Sequence, residues 1–293
     1  MSLTPRNVEI DLPTELEREI FECAALLAPE CMPKLLLVGR RVKIWIEPLM
    51  YRILSIHPLQ QRTVIRRTLK GLLKAMQVKP LAFFRQHVRN VCFVRNDNAK
   101  DIWGVLSTCT GTVNLALFNA DVDSTLLPAL AKLRLQRLSA VLGDLFSTRS
   151  APDFAHPLFA NLTHLDVLDK RDGGWAGWVG LPTLPRLTHL SFNDDISNSV
   201  CEGALEHCTQ LRVLVIVWAN HTTMQADPYD RTALAEDPRF VMIVVNQYLR
   251  DWEAGAAGGE DYWARADAFV QKRQAGVVKG HLIRYLEEDH AAG

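Results

Sequence analysis

The feature that most constrains this 293-residue chain is a short apolar pattern that returns six times at nearly constant spacing. The pattern is apolar-x-x-apolar-x-apolar. It is met by Val88, Val91 and Phe93, by Thr112, Leu115 and Leu117 (threonine in the first slot), and by Leu135, Leu138 and Ala140. It is met again by Leu162, Leu165 and Val167, by Leu187, Leu190 and Phe192, and by Leu211, Leu214 and Ile216. The central positions 91, 115, 138, 165, 190 and 214 are separated by 24, 23, 27, 25 and 24 residues. The wording agrees best between NLTHLDVLD (161–169) and RLTHLSFND (186–194). One such unit cannot bury its apolar side alone, so the units must stack on one another.

The spacing falls within the roughly 20–29 residues of a leucine-rich repeat. Each unit then gives one short strand, and the connecting segment returns on the other side as a helix or irregular turn. The expected fold class is α/β: parallel strands in a short, curved, leucine-rich-repeat-like solenoid. Cys109, Phe159, Leu184 and Cys208 all stand six residues before a central leucine, which predicts buried packing for them. Residues between the core positions point to the concave face. One column reads Asn90, Asn114, Arg137, His164, His189, Val213, and the next reads Cys92, Ala116, Ser139, Asp166, Ser191, Val215. The third runs Val94, Phe118, Val141, Leu168, Asn193, Val217. Phe118, Arg137, His164, Asp166, His189 and Ser191 are therefore the candidate residues for holding a protein ligand, as a mixed polar and aromatic strip. A solvated face with no ligand is the alternative. Trp175 and Trp178, in the loop KRDGGWAGWVG (170–180), are read as lying beside this strip, either as exposed anchors or as buried cover for the sheet edge.

Flanking segments differ in period. Residues 1–54 read as a small module of about three short helices. Leu16, Ile20, Cys23, Ala24 and Leu27 draw one apolar stripe, Thr14 and Glu17 have capping-box spacing, and Pro29 and Pro33 break the helix. Val42, Trp45, Ile46, Leu49, Met50 and Ile53 mark a further helix that Pro48 kinks or restarts. Residues 55–84 form a basic helical linker, helix-like over 63–76. Residues 85–236 hold about six repeats. Residues 237–293 give an atypical last strand at 240–245, a helical cap for the solenoid end, and a disordered tail from 287.

Composition sets limits on function. Basic and acidic residues number 33 each, so net charge gives no global pull toward nucleic acid or anionic membrane. No apolar run reaches the roughly 18–20 residues of a membrane span, and the first residues lack a basic region followed by an apolar stretch. Six scattered cysteines without a CxxC spacing read as reduced, which points to the cytoplasm or nucleus. Nothing supplies a nucleophile elbow, a P-loop or a dinucleotide fingerprint, so no enzyme activity and no cofactor are expected. His164 with Asp166 could form an acid–base pair, and Cys201, His207 and Cys208 lack a fourth ligand at zinc spacing, so no metal is expected. From Pro48 to Asn96 there is no Asp or Glu among ten Lys and Arg residues. That segment is the basis of a nucleic-acid alternative, against which Glu253, Glu260, Asp261 and the acids at 287–289 stand as neutralising partners.

The segment LPTELEREIFECAALLAPECMPKLLLVGRRVKIWIEPLMYRIL (12–54) resembles the F-box, carried by Leu12, Pro13, Glu15, Leu16, Ile20, Phe21, Leu37, Val38, Arg40, Arg41, Trp45, Leu49 and Tyr51. One departure is that Val42 stands where the family places tryptophan, and Trp45 comes one helical turn later. The whole chain is similar to the large set of F-box-like proteins of mushroom-forming fungi. That resemblance implies a substrate-recognition adaptor in an SCF-type ubiquitin ligase. The F-box would dock on a Skp-family adaptor linked to a cullin–RING assembly, and the repeats would hold an unknown protein substrate. By analogy Leu12, Pro13, Leu16, Ile20, Leu37 and Trp45 are the adaptor contacts. Leu16 and Ile20 serve equally well as the module's own core. A repeat scaffold that keeps the F-box shape only as a cap is the other protein-binding alternative.

Overall fold

A computed structural model describes residues 12–56, 68–94, 99–147, 152–169, 174–220, 230–278 and 284–285, with Thr222 and Met224. Several expectations lie outside the described residues: the extreme N-terminus, the first part of the 63–76 helix, residues 170–173 of the tryptophan loop, and the tail from 287.

Among the described residues nine parallel strands form one sheet, and their spatial order is their order in the chain. They are β1 (Ile53–Ile56), β2 (Asn90–Val94), β3 (Asn114–Phe118), β4 (Arg137–Ala140), β5 (His164–Val167), β6 (His189–Asn193), β7 (Val213–Trp218), β8 (Phe240–Val244) and the two-residue β9 (Arg284–Tyr285). The register is the one the repeat spacing dictates: Val91, Leu115, Leu138, Leu165, Leu190 and Leu214 are successive cross-strand neighbours. Parallel neighbours need a crossover between them, and here the crossovers lie on one face of the sheet.

Those crossovers carry α4 (Leu69–Val78), α5 (Leu81–His87), α6 (Ala99–Thr108), α7 (Leu127–Leu130), α8 (Leu142–Leu145) and α9 (Asn198–His207). Their apolar sides, among them Leu72, Phe84, Ile102, Leu106, Leu130, Leu145 and Val200, close over the central leucines in one continuous core. Cys109, Phe159, Leu184 and Cys208 are all buried in it, as their shared position predicts. Burial pushes the Cys109 thiol up to about 12 and Cys208 to about 11, so both stay protonated and inert. Trp178 is buried here too, edge-on to Phe192, and Trp175 packs on α9 beside His207. Both tryptophans thus cover the crossover side of the sheet and not the opposite face.

The N-terminal module comprises α1 (Thr14–Leu27), α2 (Met32–Leu35) and α3 (Arg40–Arg52). Ala25, Met32, Val42 and Ile46 form its own small core, with Phe21, Trp45 and Leu49 packed around it. The capping box does not form. Thr14 is already helical with Pro13 at the N-cap, and Glu17 pairs with Arg41 of α3 at 2.8 Å instead. Helix α3 runs through Pro48 without restarting and passes directly into β1. The linker expected from residue 55 therefore begins as the first strand of the sheet, with Leu54 opposite Val91. Lys79, which ends α4, binds Glu47 at 2.7 Å and ties the module to the sheet domain.

The largest difference from expectation concerns the C-terminal segment. Helices α10 (Tyr248–Ala256) and α11 (Tyr262–Gln274) do not cap the end of the sheet; they lie across its second face. From α10, Trp252 packs on Cys92, Val94 and Ala116 of β2 and β3. From α11, Tyr262, Trp263, Ala266, Phe269 and Val270 pack on Val213, Val215, Val217, Val241 and Ile243 of β7 and β8. The turn between the helices uses Gly258 at φ +89°, a conformation that favours glycine. Strands β7 (VLVIVW) and β8 (FVMIV) are buried at every position, as strands covered on both faces must be.

Candidate interaction sites

Two places gather the residues singled out from sequence. The first is the outer side of α1. One side of this helix anchors it through Phe21 and Ala25, while Leu16, Ile20 and Leu27 follow one another on the opposite side, and Leu12, just before the helix, continues their row. In chain order the four are exposed by 45%, 48%, 55% and 81%, and with Cys23 and Ala24 they line a shallow open concavity. The spacing of three, four or seven residues is what places the helical members of the row on one face. Pro13 is exposed as well, and so are Leu37 and Val38 just beyond α2. Trp45 differs from the other expected contacts: it is half-buried, 6.4 Å from Phe21, and belongs largely to the module's core. A cleft of about 490 Å³ lies between the module and α10, lined by Leu26, Met32, Leu49 and Met50 on the module side and by Arg250, Glu253 and Ala254 of α10.

The second place is the middle of the second sheet face. Phe118, Arg137, His164, Asp166, His189 and Ser191 do come together there, but under α10 and α11. This corrects the expectation of an open strip: Asp166, His189 and Ser191 are buried. The strands β4 to β6 offer polar side chains on this face, and the helices answer with matched partners. Ser191 donates to Asp166 at 2.7 Å, and the Tyr248 hydroxyl donates to the other carboxylate oxygen while lying 2.9 Å from the Ser139 hydroxyl. Tyr262 meets Ser191 at 3.0 Å. Phe118 stacks on Tyr248 with ring centroids 4.9 Å apart. Arg137 binds Asp261 at 2.7 Å, and Asp261 also caps α11 by accepting from the Ala264 amide. The Tyr262 amide and Arg265 both bond to Asp251, which joins α10 to α11.

The electrostatics follow from this enclosure. Burial raises the Asp166 carboxyl above its ordinary range, against the lowering effect of its hydroxyl donors. His164 and His189 stack at 4.0 Å, each held by the threonine before it. His164 is lowered to about 2 by burial, then by His189 and Arg137. His189 is also lowered by burial, although Asp267 at 3.0 Å pulls the other way. His164 and Asp166 do not form the acid–base pair their spacing allowed; each looks to a different partner. The hydroxyls around Asp166 donate to the carboxyl or to one another, so none is activated by a free base, and the remaining space of about 20 Å³ holds at most one water. The arrangement is that of a fastened interface.

Sequence reasoning missed the helical cover. Its signal was present in the columns themselves, which turn from polar at His189 and Ser191 to apolar at Val213, Val215 and Val217, a face that needs a partner. Among the described residues, no three His, Cys, Asp or Glu side chains group so as to hold a metal ion, and no helix is long and apolar enough to cross a membrane. Comparison with family models finds no match, and none of the curated proteins matches the chain.

Proposed function

We propose that this chain is a substrate-recruiting adaptor of an SCF-type ubiquitin ligase, working in the cytoplasm or nucleus. In this reading the N-terminal module is F-box-like and docks on a Skp-family adaptor carried by a cullin–RING assembly. The sheet domain is leucine-rich-repeat-like and holds a protein marked for ubiquitin-dependent degradation. The chemistry belongs to the other subunits. One observation carries the reading: Leu16, Ile20 and Leu27 form an exposed apolar row on a helix whose other side is fixed in a core, and Leu12, just before the helix, extends the row. A pre-formed helix with a bare apolar face is the ligand that a helix-in-groove partner requires. Burying a fully exposed side chain of this kind contributes about 1.5–3 kcal/mol, and the half-exposed members of the row contribute less, against the cost of association.

The test is capture of a purified Skp-family adaptor by the full chain, beside a Leu12→Ala/Pro13→Ala variant. Capture by the wild type and loss in the variant support the reading. A second reading has its own observation: Met50 and Tyr51 of α3 pack into the sheet core beside β1, so the module also closes that end of the sheet. If wild type and variant both fail to capture the adaptor, the module is a cap and the protein a repeat scaffold.

A further inference from the structure

Zero net charge hides an unequal distribution of charge along the edges of the sheet. Arg52 immediately precedes β1, and the segments that lead into β2, β4, β6 and β7 bring Arg85, Arg89, Lys132, Arg134, Arg186 and Arg212 to the edge where strands begin. All seven are exposed. No Asp or Glu occurs in the leading segments 85–90, 107–114, 130–137, 157–164, 181–189 or 209–213. The edge where strands end has the opposite character: Asp121 and Asp123 follow β3, Asp144 follows β4, and Asp194 and Asp195 follow β6. The Arg89 guanidinium donates to the Gly111 carbonyl at 2.9 Å, which holds one of the cations in place at the leading edge. Among the described residues Arg134, Arg186 and Arg212 have no ion-pair partner within 4.0 Å, whereas Arg239, beyond them, is engaged by Asp237 at 2.7 Å.

We propose that this leading edge is a docking surface for an extended acidic polypeptide segment. The inference rests on the adaptor reading for its biological role, since the recruited protein needs a surface and the second sheet face is covered by α10 and α11. The dimensions suit such a ligand. Neighbouring strands lie about 4.8 Å apart, so the cations from β1 to β7 span about 29 Å, the length of about nine extended residues. Nucleic acid would bring the same sign of charge, but of the aromatic residues nearest these cations Tyr51, Phe84 and Phe159 are buried, and the half-buried Phe83 is packed among Tyr51, Phe84 and His87. The edge therefore lacks the aromatic platform on which single-stranded bases stack.

The experiment is fluorescence anisotropy with the full chain and a labelled probe of about 12 residues alternating Glu and Ser, long enough to span the edge. The counterpart probe carries Gln for Glu, and a single-stranded oligonucleotide of equal charge is the third ligand. The Glu probe is expected to bind, the Gln probe not, with affinity falling as salt rises. Arg134→Glu/Arg186→Glu should weaken binding by roughly tenfold or more, and Asp121→Asn on the opposite edge should not. Both variants alter exposed side chains, and matching thermal melts show that they fold. No binding of the Glu probe, equal binding by the charge-reversed chain, or stronger binding of the oligonucleotide overturns the proposal. Adaptor capture is read on α1 in a separate assay, so either idea can fail while the other stands.

Discussion

The Tyr248 hydroxyl donates to the Asp166 carboxylate, joining residues 82 apart in sequence, and the Tyr248 ring stacks on Phe118. This one side chain thus fastens α10 to three strands, because its hydroxyl also reaches Ser139 of β4. Tyr248→Phe keeps the stack and removes the donor. It should cost about 1–3 kcal/mol, the penalty for leaving a buried acceptor unmatched. Urea unfolding measures this, and the loss should shrink in an Asp166→Asn background, where the two positions are coupled.

Asp166 and His164 should give stability slopes of opposite sign. The folded Asp166 holds its proton above the value of the unfolded chain. Its contribution is complete below about pH 4 and declines as pH rises through the folded value, by up to about 1.4 kcal/mol per pH unit. His164 stays neutral in the fold while the unfolded chain takes up a proton below about pH 6.5, so stability declines as pH falls below that point. Subtracting the pH profile of Asp166→Asn, and separately of His164→Asn, from that of the wild type should isolate each slope. A difference that stays flat from pH 4 to pH 7 for either residue contradicts its place in the buried seam.

Gly203 on α9 is required by its neighbour. A Cβ built there would sit 2.2 Å from the Trp175 ring, a contact that only displacement of the indole relieves. Gly203→Ala should therefore cost about 1–3 kcal/mol despite the better helix propensity of alanine. Tryptophan emission should shift to the red as Trp175 leaves its half-buried site.

The exposed row on α1 carries no fold stability of its own. Leu16→Asp/Ile20→Asp should leave the urea midpoint within the scatter of surface substitutions, about 0.5 kcal/mol. A large loss of stability would mean that these side chains pack against the chain itself.

Much of the sheet was legible in sequence, because a parallel array repeats one environment per strand. Val91, Leu115 and Leu138 fall into register from spacing alone. Strand β1 was not legible, since it follows α3 with no turn residue between Arg52 and Ile53. The helical cover was missed for a different reason. Tyr248 and Tyr262 reach their partners across 82 and 71 residues, and no local period reports such pairing. The polar strip was read as an open face for a ligand; Asp166 and Ser191 do come together, but what they hold is the chain's own C-terminal helices. On α1, the sequence left Leu16 and Ile20 open between contact and core, and the structure leaves both side chains in solvent.

The most direct measurement is isothermal titration of a purified Skp-family adaptor into the full-length protein, comparing wild type with Leu16→Asp/Ile20→Asp. The account predicts saturable binding by the wild type and a loss of roughly a hundredfold or more in the variant, which buries charge in place of two apolar anchors. No heat of binding with the wild type, or equal affinity for the folded variant, would contradict it.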